Sequence, residues 1–405
     1  MSMHFNSGEI EMKSKFYRKV LSNGMTVILE RRDLPIVSVA FAVRQGGINE
    51  SEEEKGISHF IEHMLYKGTL KRSAKNISEE IEKNGGELNG FTGEDVTAYW
   101  CKMPSKKLGV ALDVLSDMVK NPKFDSKELE KERQVIFEEI KLYKDNPRLH
   151  VLDRIHTLLF EKPFGIPIIG TCESMKSIDR KKMLDKFKEV YTPDNMVLCV
   201  VGDASFEELC DFVEKNFGKK KGKVVQFKVR ERNETKIEKR KGIDQANLVF
   251  AYHIPLAGDK KSYAAKVLST MMAGGLSSRL WTEIREKRNL AYAVKGDSEI
   301  DKDFAYSFIY VGTSKNNVGK VKKLILNEYK KVAKGLSEKG LKEIKEQLIG
   351  NYHISMEESQ VQMVNLLSSE MDGDAGEIYK FPDEISKVKL KDVKDLAKKV
   401  GDNYS

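Results

Sequence analysis

The order of strand and helix signals in this chain runs through twice, and that repetition constrains the fold more than any single segment does. In the first pass, strand-like runs at Tyr17–Leu21 and Met25–Glu30 flank Ser22-Asn23-Gly24, whose Asn-Gly pair favours a hairpin because both residues tolerate positive φ. A third apolar run follows at Val37–Val43. Beyond Gly46-Gly47 the period becomes helical over about 56–67 and 76–83, and Gly85-Gly86 supplies a stop. Strands at 87–92 and 96–103 precede a helix opened by Pro104, a long helix capped by Ser126 and running to Lys144, and another begun at Pro147. Helix 179–191 and an apolar strand within Asn195–Asp203 close this pass.

The second pass has a strand at Ala246–His253, helices at Lys261–Ala273 and Ser278–Lys287, and strands at 291–295 and 304–312. Helices at about 316–334, 338–370 and 389–399 complete it. Runs of one type joined by hairpins, in place of strict βαβ alternation, predict an α+β fold with largely antiparallel sheets. The expected division is 1–217, a basic linker with the first strand of the next domain at 218–242, and a second domain at 243–405. At 405 residues the chain is long enough for each half to bury its own core. The passes differ at their ends: helix 389–399 leads only to Gly401-Asp-Asn-Tyr-Ser405, so the second domain is expected to lack its closing strand, either because the chain is cut short or because its sheet ends one strand early.

Charge and composition remove several function classes. The formal net charge is +8, yet the basic residues alternate with acidic ones along the helices, as in Leu341-Lys-Glu-Ile-Lys-Glu346, the pattern of a solvated face. Only Lys219-Lys-Lys-Gly-Lys223 is a concentrated basic run, and its glycines make it a loop, so no nucleic-acid partner is expected. No apolar run is long enough to cross a bilayer, so no membrane role is expected. The N-terminus mixes Glu9, Glu11, Lys13 and Lys15 without an apolar stretch, which argues against a secretory leader. Cys101, Cys172, Cys199 and Cys210 are widely spaced and read as reduced thiols of a cytoplasmic protein.

The chemistry concentrates at His59-Phe-Ile-Glu62-His63. Residues four apart share a helix face, so both histidines can aim a ring nitrogen at one metal ion. Glu62 falls where its carboxylate can take a proton from a water beside that ion without being a ligand itself, the task of a general base in hydrolysis. The order H-x-x-E-H inverts H-E-x-x-H. Catalytic zinc needs a third protein ligand.

The segments Gly56-Ile-Ser-His-Phe-Ile-Glu-His-Met-Leu-Tyr-Lys-Gly68 and Glu130-Lys-Glu-Arg-Gln-Val-Ile-Phe-Glu-Glu-Ile-Lys-Leu-Tyr143 resemble the pitrilysin (insulinase) family of zinc metallopeptidases. That resemblance implies two homologous α/β-roll domains of the LuxS/metallohydrolase type, each a mostly antiparallel sheet covered by helices. It implies one zinc ion per chain, with Glu139 as third ligand, 76 residues beyond His63, and with Glu138 excluded. Glu132, two turns before Glu139, then supports a ligand histidine by hydrogen bonding. Asn89-Gly-Phe-Thr-Gly-Glu-Asp-Val-Thr-Ala-Tyr99 resembles the family's substrate-binding edge strand, with Asn89 and Phe91 as binding residues. Leu276-Ser-Ser-Arg-Leu-Trp-Thr-Glu-Ile-Arg285 through Tyr292 resembles its second signature, in which Arg285 and Tyr292 bind the substrate carbonyl oxygen or the oxyanion.

The function so implied is a zinc endopeptidase for unfolded peptides. A chain of this length is one bowl of the processing-peptidase type, and its expected assembly is a homodimer enclosing a chamber, or a heterodimer with a related subunit. The alternative is a non-catalytic structural or chaperone-like subunit of the same fold.

Overall fold

The computed structural model describes residues 15–401 and 403–405, so the charged segment at Glu9, Glu11 and Lys13 and residue Asp402 lie outside the described residues. In the first half, β1 (Lys15–Val20), β2 (Thr26–Arg31) and β3 (Ile36–Val43) lead to α1 (Ile57–Leu65) and α2 (Ala74–Glu82). Then come β4 (Glu87–Thr92), β5 (Thr97–Pro104), α3 (Leu108–Lys120), α4 (Ser126–Asp145), α5 (Pro147–Leu159), α6 (Cys172–Ser177), α7 (Arg180–Val190), β6 (Met196–Gly202) and α8 (Phe206–Asn216). The second half contains β7 (Gln245–His253), α9 (Lys261–Ala273), β8 (Ala291–Ile300), β9 (Ala305–Ser314) and α10 (Val318–Gly335). It ends with α11 (Glu338–Ser355), α12 (Ser359–Asp372), α13 (Phe381–Lys387) and α14 (Leu390–Lys399).

The first sheet has the order β1-β2-β6-β3-β5-β4 and the second β7-β9-β8. Every pairing is antiparallel except β2 with β6. The α+β expectation therefore holds. β6 reads Met-Val-Leu-Cys-Val-Val-Gly and is buried throughout, as a strand covered on both faces must be. Its alternate residues feed two cores. Leu198 and Val200 join Phe41, Phe60, Met64 and Met118 on one face, whereas Val197, Cys199 and Val201 meet Met363, Leu366 and Leu367 of α12 on the other.

α12 belongs to the second half yet covers the first sheet, and α5 of the first half packs its Ile155 and Leu159 on Val249 and Ala251 of β7. Each half thus lends the other a helix. Charged pegs fix the exchange: Glu370 on α12 accepts from Arg18 Nε at 2.7 Å and Arg44 Nη2 at 2.7 Å.

Several elements differ from the sequence reading. Asp125, not Ser126, caps α4, its side chain accepting from the amides of Lys127 and Glu128. The expected helix 338–370 is two helices, because its halves serve different cores: Leu341 and Leu348 pack in the second domain, Met363 to Met371 on the first sheet. The segment Ser278–Lys287 is helical as expected, but over Trp281–Glu286 the helix is of the π type. The stretch 218–242 carries no strand of the second sheet. It runs over the end of α5 instead, with the Arg232 amide donating to Leu159 O (2.8 Å) and the Glu161 amide to Arg230 O (2.9 Å). At the other end, Ser405 and Ala251 exchange both peptide hydrogen bonds (2.8 and 3.1 Å) on the edge of β7 away from β9, the place β6 takes beside β3 in the first half.

Candidate metal centre and active site

α1 starts at Gly56, whose φ of 91° lies in the left-handed region, and an added Cβ there would meet Ile169 O at 2.7 Å. The buried Glu50 carboxylate accepts from the Gly56 and Ser58 amides at 2.9 and 2.8 Å, satisfying donors that a helix start leaves free. Phe60, Ile61 and Met64 anchor the helix in the core, which leaves His59, Glu62 and His63 on the half-buried side.

The Nε2 atoms of His59 and His63 stand 3.2 Å apart. Glu139, on the half-buried face of α4, brings Oε2 to 3.7 Å from each. Glu138 points to solvent and pairs with Lys141 at 2.6 Å. His63 Nδ1 lies 3.2 Å from Glu132 Oε2, and the other oxygen of Glu132 takes Lys67 Nζ at 2.8 Å. With Nδ1–H donating to Glu132, His63 turns the Nε2 lone pair toward Glu139 and His59. Burial works to raise the Glu132 carboxyl, but the bonds to His63 and Lys67 outweigh it and hold the group below the usual carboxylate range.

These donors fit a zinc ion. Around zinc, ligand distances of about 2.0–2.1 Å imply tetrahedral edges of about 3.3–3.4 Å, close to the observed triangle. Burial, reinforced by His63, lowers His59 to about 3, so its ring is a neutral donor. His59 Nδ1 is buried without a hydrogen-bond partner among the described residues. Two imidazoles and a carboxylate facing one another offer more lone pairs than protons, an arrangement that a cation relieves.

Glu62 receives the Thr92 hydroxyl of β4 on Oε2 at 2.6 Å. Burial is the main influence raising its carboxyl; Thr92 and His63 oppose it and Glu139 adds to it. β4 is the terminal strand of its sheet, so its outer peptide edge is unpaired among the described strands. Asn89 and Phe91 lie on the face of β4 opposite Gly90 and Thr92: the Asn89 side chain accepts from the Gly90 amide (2.8 Å), and Phe91 packs against the cluster beneath α12. No hydrogen bond among the described residues links either to His59, His63 or Glu139.

Arg285 and Tyr292 come together in the second half. The Arg285 guanidinium lies 4.6 Å from the centre of the Trp281 ring and donates to the Tyr292 carbonyl, while the Tyr292 hydroxyl is 3.3 Å from that of Tyr310. Arg148, at the start of α5, sits 5.2 Å over Tyr310. Among the described residues, no hydrogen bond or ion pair links Arg285 or Tyr292 to His59, His63 or Glu139. Arg288, a competing choice by sequence, is committed to Glu283. Thr92 and Lys67 went unread in the sequence, because the contacts that give them roles join separate elements.

Residues 26–172 match the family model described as insulinase (peptidase family M16), and 177–348 match the peptidase M16 inactive domain. The chain belongs to this insulinase family. It is 34% identical over 355 residues to the uncharacterized zinc protease YmxG of Bacillus subtilis, spanning 85% of this chain and 86% of that one. In fold it is similar to a protease from Helicobacter pylori, with a TM-score of 0.88 and 22% identity over 95% of this chain and 96% of that one. It is likewise similar to a peptidase M16 inactive domain from Pseudomonas fluorescens, with a TM-score of 0.85 and 18% identity over 94% and 93% of the two chains.

Proposed function

We propose that this chain is a zinc-dependent endopeptidase acting on extended, unfolded peptides. The observation that carries the reading is the triangle of His59 Nε2, His63 Nε2 and Glu139 Oε2, with Glu62 on the same helix as both histidines. His59, His63 and Glu139 would hold one zinc ion per chain. Bound there, the ion supplies a Lewis acid that polarises the peptide carbonyl and makes a coordinated water easier to deprotonate.

The remaining work falls to the chain's own residues. Glu62 accepts the proton of the attacking water and returns it to the leaving amine; a carboxyl raised by burial suits both steps. The free edge of β4 receives the peptide as an added strand, whose alternate side chains face Thr92 on one side and Asn89 and Phe91 on the other. Arg285 and Tyr292 donate to the oxygen on which charge develops. Since neither is hydrogen-bonded or ion-paired to the cluster among the described residues of one chain, the reading includes a homodimer whose partner completes each site around a chamber. The free thiols of Cys101, Cys172, Cys199 and Cys210 fit the reducing conditions of cytoplasm. No described helix is long and apolar enough to cross a membrane.

Glu62→Gln is expected to retain zinc and lose peptide hydrolysis, and Arg285→Ala to lose it with zinc in place. Mixed dimers of the two variants recover part of the activity when sites are shared. Hydrolysis by Glu62→Gln at the parental rate contradicts the general-base role, and confirmed mixed dimers without recovery contradict sharing.

A further inference from the structure

We infer that Thr92 is a positioning residue for Glu62, so that the strand offered to the substrate also sets the orientation of the base. The inference rests on Glu62 acting as the base. Its ground is the 2.6 Å bond from the Thr92 hydroxyl to Glu62 Oε2. Thr92 ends β4 paired with Thr97 of β5, and a β-branched side chain on a paired strand has little χ1 freedom. Glu62, by contrast, reaches its carboxylate through three rotatable bonds, so without a fixed partner the group samples several orientations. A hydroxyl donating to Oε2 pins one oxygen and leaves Oε1 with its lone pairs directed elsewhere.

Gly90, two residues back on the same face of β4, keeps the other oxygen clear. A Cβ at Gly90 would lie 3.2 Å from Glu62 Oε1, 2.6 Å from Tyr66 Oη and 2.9 Å from Ala98 O. The same notch holds the Tyr66 hydroxyl, which is buried without a hydrogen-bond partner among the described residues. Thr92 is thus the sole described side chain hydrogen-bonded to the Glu62 carboxylate, and the strand beside it is relieved of bulk where the second oxygen sits. Because β4 is the terminal strand, a peptide added to its edge bears on the backbone that carries Thr92. Substrate docking and base alignment are mechanically joined through that residue.

The test compares Thr92→Val, which keeps the shape and removes the hydroxyl, with Thr92→Ser, which keeps the hydroxyl. In the zinc-loaded enzyme, Thr92→Val should lower kcat by about 10–100-fold with KM within about two-fold of the parent, the range seen when outer hydrogen-bond partners are removed. Zinc content and melting temperature should be unchanged, and Thr92→Ser should restore kcat to within about three-fold of the parent. Crystal structures of the two variants give a readout independent of turnover: the Glu62 carboxylate is rotated or disordered in Thr92→Val and in its parental position in Thr92→Ser. An unchanged kcat in Thr92→Val, a loss that Ser does not rescue, or an undisturbed Glu62 in Thr92→Val overturns the inference. An inactive Glu62→Gln beside a fully active Thr92→Val overturns the positioning role alone, whereas an active Glu62→Gln overturns the base and its positioning together.

Discussion

The two histidines of the cluster are held differently. His63 Nδ1 hydrogen-bonds to Glu132, which Lys67 in turn fixes, whereas His59 Nδ1 has no such partner among the described residues. The hydrogen bond to Glu132 fixes the tautomer and ring orientation of His63, so Glu132→Gln is expected to weaken zinc binding about 10–100-fold. Competition with a chromogenic chelator measures this, and unchanged affinity would remove Glu132 from the site. The histidine spacing and Glu62 were legible in the sequence because helical geometry over four residues is local. Glu139 was not legible in that way, since nothing in local periodicity joins positions 76 residues apart; the family resemblance pointed to it, and the structure brings it to 3.7 Å from both rings. Thr92 escaped notice because its role depends on β4 lying beside α1.

At the scale of elements, the molecule is organised by exchanged helices that the sequence pattern did not separate. Apolar positions recur with helical period from 338 to 370, and no glycine or proline falls between Ser355 and Ser359, so a single helix was the natural reading. The break at 356–358 comes from tertiary packing: the Ser359 hydroxyl lies 2.9 Å from that of Ser38, and Gln362 donates to Glu30 at 2.7 Å, which seats α12 on the first sheet. Strands were easier to read because period-two alternation between two apolar faces survives in β2, β3, β5 and β6. Leu366, on the face of α12 turned to the first sheet, is fully buried. Leu366→Ala should cost about 2–5 kcal/mol by loss of apolar contact and creation of a cavity. Denaturant unfolding monitored at Trp100, which packs in the same cluster, reports it; a cost below about 1 kcal/mol would mean that α12 can detach without consequence for the sheet.

For the whole molecule, the junction between the halves gathers carboxylates from three places: Asp95 between β4 and β5, Asp301 between β8 and β9, and Asp372 at the end of α12. Burial, then the neighbouring Asp95, raises Asp301 to about 7, and burial with Asp301 raises Asp372 to about 6. Lys302 offsets this only in part, its Nζ lying 4.0 Å from Asp95. The folded chain keeps protons here that the unfolded chain releases near pH about 4, so stability falls as pH rises from about 4 to about 7. Asp301→Asn cannot ionise, and its melting temperature should exceed the parent's at pH 8 by roughly 2–4 °C per kcal/mol recovered, the gain vanishing toward pH 4. A difference independent of pH would show that Asp301 is ionised throughout.

If metal and turnover belong to one site, both are read together in cleavage of a quenched fluorescent, unstructured peptide by the purified chain, with bound zinc counted per chain. The expected result is one zinc per chain and cleavage abolished by a chelator and restored by zinc. Cleavage indifferent to chelation, or a chain that binds no zinc, would contradict it.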